Sequence, residues 1–178
     1  TTFTDRSPSA TVITNVGGMH HHIDDNRTAN TALYFDGYSY IQLGGTSSTG
    51  FEMASSTADF TMEGWIKPTS PGTADEGLFC MGDSGASTYQ QFSIQGTTSG
   101  DPFHYYGGVP SAMGNNGNAK YHVWQHVAIV RQSGVTKFIH DGIVIASSTT
   151  TVTNGAFDRG FMIGCLNYND TPRDFFTG

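Results

Sequence analysis

The sequence predicts an all-β fold in which two antiparallel sheets pack face to face as a jelly-roll sandwich. Three observations carry that expectation. The first is composition: hydrophobic residues make up 37% and charged residues 13% of the 178 residues, with 23 Gly. Ser, Thr and Asn fill the remainder, helix formers such as Glu, Lys and Leu are scarce, and aromatic and β-branched residues suit a pleated, half-buried surface. The second is spacing, because short β-type runs alternate with turn clusters at close intervals. The third is periodicity: no segment sustains a helical period for three turns, whereas Asp59–Lys67 alternates strictly. The length suits one domain over 1–178, with a core large enough to need no disulfide or metal staple.

Taken in order, strands are predicted at Thr11–Val16, Ala32–Phe35, Tyr38–Leu43 and Asp59–Lys67. In the last of these, Phe60, Met62, Gly64 and Ile66 fall on the core face, and Thr61, Glu63, Trp65 and Lys67 on the other. A tryptophan there means that this second face is partly covered. Gly77–Met81, Gln90–Gln95 and His104–Tyr106 follow. Tyr121–Gln132 is apolar on both faces, with Val123, Val127 and Ile129 against Trp124, Ala128 and Val130, as a central strand requires. Gln132-Ser133-Gly134 turns into Val135–His140, and Asp141-Gly142 is a strong hairpin signal before Ile143–Ser148; these three strands should form a meander. Gly160–Leu166 is the last predicted strand. Gly44–Gly50, Thr69–Asp75, Asp83–Thr88 and Gly114–Asn118 read as turns, and Glu52–Ser55 as a short helical turn.

The formal net charge is −7, and the few cations are scattered. Phosphate contacts need clustered cations, so nucleic acid is excluded as a partner. Cys80 and Cys165 have neither zinc nor CxxC spacing. They read first as two small buried hydrophobes, with pairing across two strands left open. No signal peptide, transmembrane run or lipidation motif is visible, so no membrane partner is expected. The start at Thr1 and the apolar end Phe175-Phe176-Thr177-Gly178 read as part of a longer or processed chain.

Several motifs occur in a fixed order. Ala32-Leu33-Tyr34-Phe35-Asp36-Gly37 comes first, then Phe60-Thr61-Met62-Glu63-Gly64-Trp65-Ile66-Lys67-Pro68. Trp124-Gln125-His126-Val127-Ala128-Ile129-Val130-Arg131, Phe138-Ile139-His140-Asp141-Gly142 and Phe161-Met162-Ile163-Gly164 follow. Together they resemble the concanavalin A-like lectin/glucanase superfamily in its laminin-G-like branch. That branch reads "FDG", "FTIEFW", "WxHVAxVR", "YxDG" and "IG" in the same order. The opening Phe3-Thr4-Asp5-Arg6-Ser7-Pro8-Ser9-Ala10 is similar to a lead-in frequent in structural proteins of tailed phages, notably marine ones. The resemblance implies a concanavalin A-like jelly roll of two antiparallel sheets that binds glycans or protein partners, in some members with a structural calcium. It also implies a further strand after the last Gly; Gly178 would be its first residue, so that strand is missing here or lies beyond Gly178.

Hydrolase chemistry needs two carboxylates about 5–10 Å apart. Glu52, Glu63 and Glu76 have no acidic partner at i+2 or i+4, and Asp59 with Glu63 reads as edge solvation, so the chain is not expected to be an enzyme. His20-His21-His22, followed by Asp24 and Asp25, has metal-ligand chemistry, but consecutive strand residues point in alternate directions and cannot all reach one ion. That run reads as a polar loop or strand end. His126 reads as a buried histidine satisfied by a backbone carbonyl, with no Ser or Cys nucleophile paired to it. No cofactor is required. Calcium is the one candidate, with Asp36 and Asp170 as ligands, although Asp-Gly is first a turn signal at Asp36 and Asp141. For glycan or protein binding, aromatic residues beside Asn and Gly single out Tyr105, Tyr106, Asn115, Asn116, Asn118, Tyr168 and Asn169.

Two functions follow. One is a non-catalytic virion structural, decoration or fibre domain, partnered by other virion proteins or by self-association, with glycan adhesion. The other is a carbohydrate-binding module of a secreted or cell-surface protein that meets cell-surface polysaccharide. Both place the chain outside the cell or on a virion surface.

Overall fold

A computed structural model describes residue 4 and residues 11–23, 31–44, 58–69, 75–82, 90–94, 102–107, 112–149, 161–169 and 171–178. Of residues 90–91, 102, 104–107 and 112–117 the backbone alone is described. The described elements are all strands: β1 (Ile13–Val16), β2 (His20–His22), β3 (Ala32–Tyr34), β4 (Tyr40–Leu43), β5 (Phe60–Ile66), β6 (Glu76–Met81), β7 (Gln90–Ile94) and β8 (Pro102–Gly107). β9 (Ala112–Asn118), β10 (Gln125–Gln132), β11 (Val135–His140), β12 (Ile143–Ser148), β13 (Phe161–Ile163), β14 (Leu166–Tyr168) and β15 (Thr171–Arg173) complete them.

A seven-stranded sheet has the order β1-β4-β13-β6-β7-β8-β9, and a four-stranded sheet the order β12-β11-β10-β5. β14-β15 and β2-β3 are two-stranded sheets. The two larger sheets enclose the main core. Ile41, Leu78, Phe92, Ile94 and Phe103 come from one side, and Ile66, Val127, Ile129 and Phe138 from the other. Phe138 spans the interface, edge-on to Phe92 at 5.2 Å and to Phe103 at 5.4 Å. Each large aromatic side chain contributes roughly 150–250 Å² of burial, so this trio carries a large share of the contact between the sheets. A smaller cluster, Cys80, Met162, Cys165 and Leu166 with Tyr40 and Phe175, sits where the β14–β15 hairpin meets the seven-stranded sheet. Both cysteines are buried and neither forms a disulfide, and burial pushes the Cys165 thiol far up.

The meander β10-β11-β12 is present, and β10 is central between β11 and β5. Its two turns carry positive φ at Ser133 and Gly134 and at Asp141 and Gly142, the geometry of a two-residue hairpin turn with φ above zero at both positions. β5 alternates as its sequence dictates, with Trp65 outward and 43% exposed.

Several boundaries differ from expectation. Tyr121–Trp124 is not strand, because His122 takes φ +61° and gives its amide to the Pro68 carbonyl. Gly114–Asn118 is strand rather than turn: β8 supplies a ladder, and shifts in register absorb what Gly and Asn lack in β propensity. The strand predicted through Leu166 stops at Ile163, where Gly164 takes φ +88°. The chain then forms the β14–β15 hairpin, so Asn167 and Tyr168 lie in a strand rather than a loop. The histidine run is a paired strand, with His21 opposite Leu33. The helical turn predicted at Glu52–Ser55 lies outside the described residues.

Candidate functional site

The outer face of β5 and β10 carries a three-residue platform. The antiparallel register sets His126 opposite Trp65, and opposed residues project to the same face. Their rings lie 5.3 Å apart at 59°. Glu63, two residues before Trp65, shares the face, and its Oε2 is 3.5 Å from His126 Nε2. His126 is thus only partly buried, and among the described residues its side-chain partner is the exposed Glu63 carboxylate on the neighbouring strand rather than a backbone carbonyl. The platform joins an indole, a carboxylate and an imidazole. An indole face is apolar, and the two polar groups at its edge can accept or donate hydrogen bonds to a ligand lying on it.

What lies next to His126 fixes its position. The Asp141 carboxylate accepts the His126 amide at 2.9 Å, so the β11–β12 turn pins the start of β10. Gln125, fully buried, accepts the Lys120 amide through Oε1 at 2.9 Å and donates through Nε2 to the Lys120 carbonyl at 2.7 Å. His140 Nε2 donates to the same Oε1 at 3.1 Å, and its ring stands edge-on to Phe103. Burial pulls the His140 imidazole below its usual range, against the opposing pull of Asp141. The sign of the pH effect follows. As pH falls through about 6.5, the unfolded chain takes up a proton that the native chain refuses, so stability falls until the native His140 also titrates. Urea unfolding is expected to give a lower midpoint at pH 5.5 than at pH 7.5, with a smaller difference in His140→Gln. Equal pH dependence in both proteins would disprove the assignment.

Two of the carboxylates weighed for catalysis, Asp59 and Glu76, have structural partners. Asp59 accepts the Ser133 amide at 2.8 Å and ties β5 to the β10–β11 turn, rather than meeting solvent alone. Glu76 is buried and accepts the Thr177 amide. Glu63 belongs to the platform, and Glu52 lies outside the described residues. Asp36 accepts from the Ser39 hydroxyl at 2.6 Å and the Tyr38 amide at 3.0 Å, and these bonds hold its carboxyl below the usual carboxylate range. That is the turn role its Asp-Gly sequence signalled; the other calcium candidate, Asp170, lies outside the described residues. Among the described residues no three His, Cys, Asp or Glu side chains are grouped to hold a metal ion. His20 and His22 share one face of β2 beside Tyr34, with ring centroids 5.3 and 6.1 Å from the tyrosine. Asp24 and Asp25 are outside the described residues.

The residues singled out for ligand binding divide between two places. Tyr105 is opposite Phe92, and Tyr106 opposite Gln91. On β9, Asn116 is opposite Phe103 and Asn118 opposite Pro102, with Asn115 in the irregular stretch before them; Asn118 is exposed. Tyr168 and Asn169 are elsewhere, at the tip of the β14–β15 hairpin. Tyr168 is 40% exposed, with the Arg173 guanidinium 4.1 Å from its ring centroid, and Arg173 also pairs with Asp174. Asn169 takes φ +47°, which asparagine tolerates in a tight turn. The sequence placed Trp65 outward but did not mark it as a site. The missing signal was the rung that sets His126 opposite it, beside Glu63 of its own strand.

A laminin-G-type family model, described as the concanavalin A-like lectin/glucanases superfamily, matches residues 27–178. No curated protein matches the sequence. Among solved structures, domain 4 of AbnA, a GH43 extracellular arabinanase from Geobacillus stearothermophilus in complex with arabinotriose, is similar at 20% identity and TM-score 0.63, over 95% of this chain and 78% of that one. The Ruminococcus gnavus IT-sialidase CBM40 bound to α2,3 sialyllactose is similar at 16% identity and TM-score 0.54, over 67% of this chain and 70% of that one. A botulinum neurotoxin type C structure, whose cell entry depends on interaction with two ganglioside molecules, is similar at 14% identity and TM-score 0.61, over 98% of this chain and 44% of that one. At these identities the likeness is one of fold.

Proposed function

The chain belongs to the concanavalin A-like lectin/glucanases superfamily, and from that membership we propose that it is a non-catalytic carbohydrate-binding module working outside the cell. The observation that carries the reading is the exposed Trp65 indole with Glu63 and His126 at its edge. A pyranose ring lays its C–H face on the indole, while its hydroxyls donate to Glu63 and bond to His126. The structural partners of Asp59 and Glu76 support binding without hydrolysis. The arabinanase domain and the CBM40, which hold arabinotriose and sialyllactose, support a glycan as the ligand. Tyr168 with Asn169, and the β8–β9 edge with Tyr105, Tyr106, Asn115, Asn116 and Asn118, are the secondary contact regions of this proposal. A virion setting, as a decoration or fibre domain beside other subunits, is its finer form. That form rests on the likeness of residues 3–10 to phage lead-ins.

The test is a glycan array followed by titration of the best ligand, with and without calcium. Trp65→Ala is expected to weaken binding at least about tenfold, or about 1.4 kcal/mol, while leaving the melting temperature nearly unchanged. Tyr168→Ala is expected to have a smaller effect. A Trp65→Ala protein that binds as tightly as the wild type would move the site away from the platform, and an array without specific binding would sink the carbohydrate reading.

A further inference from the structure

The β2–β3 sheet carries side chains that the glycan reading does not use. β2 is a run of three histidines paired antiparallel with β3. Strand alternation puts His20 and His22 on one face and His21 on the other. Tyr34 is opposite His20 and shares the face of the pair, whereas Ala32, opposite His22, adds only a methyl group to it. The imidazole centroids of His20 and His22 are 6.3 Å apart, and the Tyr34 ring packs beside both. The hydrogen bonding of the two rings suits ligation. His20 Nδ1 lies 3.2 Å from the Gly18 carbonyl. A carbonyl only accepts, so Nδ1 holds the proton and the lone pair is on Nε2. A histidine that ligates a metal through one nitrogen characteristically donates from the other to a carbonyl or carboxylate. His22 Nδ1 is shielded from solvent and has no hydrogen-bond partner among the described residues, so no protein group competes with a metal at that atom.

We propose that His20 and His22 form a two-histidine chelating site for a divalent first-row transition cation, copper(II) above all. Imidazole suits these cations, and copper(II) stands at the top of their affinity order. Calcium takes oxygen ligands and does not compete for the pair.

The geometry is close to what one ion needs. With metal–nitrogen bonds of about 2.0 Å, two imidazoles at right angles have centroids about 4.5 Å apart. From a separation of 6.3 Å each ring moves inward by about 1 Å, which side-chain torsions supply without moving the strand. Tyr34 limits the swing of both rings, so less freedom is lost on chelation. With two protein ligands, water fills the remaining positions and the cation stays exchangeable. The formal net charge of −7 favours a cation at the surface. The β2–β3 pairing makes the site specific. A flexible histidine run would use any two neighbours, whereas a paired strand offers His20 and His22 together and turns His21 away. The inference does not depend on the carbohydrate reading.

The test is calorimetric titration of copper(II) into the chain without an affinity tag, followed by electron paramagnetic resonance of the saturated complex. One copper per chain is expected, with superhyperfine splitting from two imidazole nitrogens. His20→Ala and His22→Ala are each expected to weaken binding at least about tenfold, because the second ligand no longer acts at high effective concentration. His21→Ala is expected to change the affinity by less than about twofold, since its side chain is on the other face. His20 is exposed, so the melting temperature of His20→Ala is expected to match the wild type and its lost affinity is not lost fold. Excess calcium is expected to leave the copper bound. Equal losses from all three variants would mean a flexible histidine run and overturn the proposal. Undiminished binding by His20→Ala, displacement by calcium, no saturable binding, or two chains per copper by light scattering would overturn it as well. Glycan binding is not read by this experiment, so failure of either proposal is seen separately.

Discussion

Gly77→Ala is expected to leave little folded protein. β6 passes so close to the turn after β13 that a Cβ on Gly77 would lie against the carbonyl carbon of Cys165. It would also be 2.5 Å from the Leu166 nitrogen and 2.6 Å from the Cys165 oxygen. These are backbone atoms, and no rotamer change moves them. Gly77 is also tied in place by its amide, which donates to the Asp174 carbonyl at 2.7 Å, and by a parallel bridge to Phe175. The substitution therefore forces β6 away from the hairpin that covers it. The loss should exceed about 4 kcal/mol, a size reserved for a short set of mechanisms that includes overpacking. A typical domain has only about 5–15 kcal/mol in total. Gly134→Ala is the control. Gly134 has φ +82° but nothing within 4 Å of a built Cβ, so only the backbone strain of roughly 1–2 kcal/mol is felt. Urea unfolding of the two variants separates the effects, and a Gly77→Ala midpoint no lower than that of Gly134→Ala would refute the steric account.

The second large effect is expected at Phe138. Its side chain is fully buried and bridges the two sheets through Phe92 and Phe103. Phe138→Ala removes both edge-to-face contacts and leaves a void that two opposed sheets cannot close without shifting. A loss of about 3–5 kcal/mol is expected, or a fall in melting temperature of about 6–20 °C for a domain of this size. Calorimetry against the Trp65→Ala protein makes the contrast, since Trp65 is large but half-exposed. Similar melting temperatures for these two variants would mean that the sandwich core does not lie where Phe138 places it.

The elements written in short-range chemistry were legible in the sequence. The alternation of β5 and the two hairpin turns at Ser133-Gly134 and Asp141-Gly142 are local facts of the chain, and the structure uses each as read. β9 and the β14–β15 hairpin were not legible. Their residues prefer turns, and only the neighbours β8 and β6 make strands of them. The site divides in the same way. Trp65 was placed on the outer face by counting in twos. His126 was misjudged because it sits next to a buried central strand segment. Its side-chain partner is Glu63 on the neighbouring strand, diagonal to the Trp65–His126 rung.

β13 has a consequence for how the molecule is made. It lies between β4 and β6, pairing Ile163 with Ile41 on one side and with Phe79 on the other. The strands it joins are encoded far upstream, so the N-terminal pair β1-β4 cannot be zipped to β6 and its neighbours until the segment near the end of the chain arrives. Hairpins such as β10-β11-β12 close early over short loops, whereas the seven-stranded sheet waits on its last-made member. Non-local pairing of this kind slows the search for the native state. Until then the facing edges of β4 and β6 stay open to wrong partners, which makes a nascent or refolding chain most exposed to aggregation just before β13 slots in.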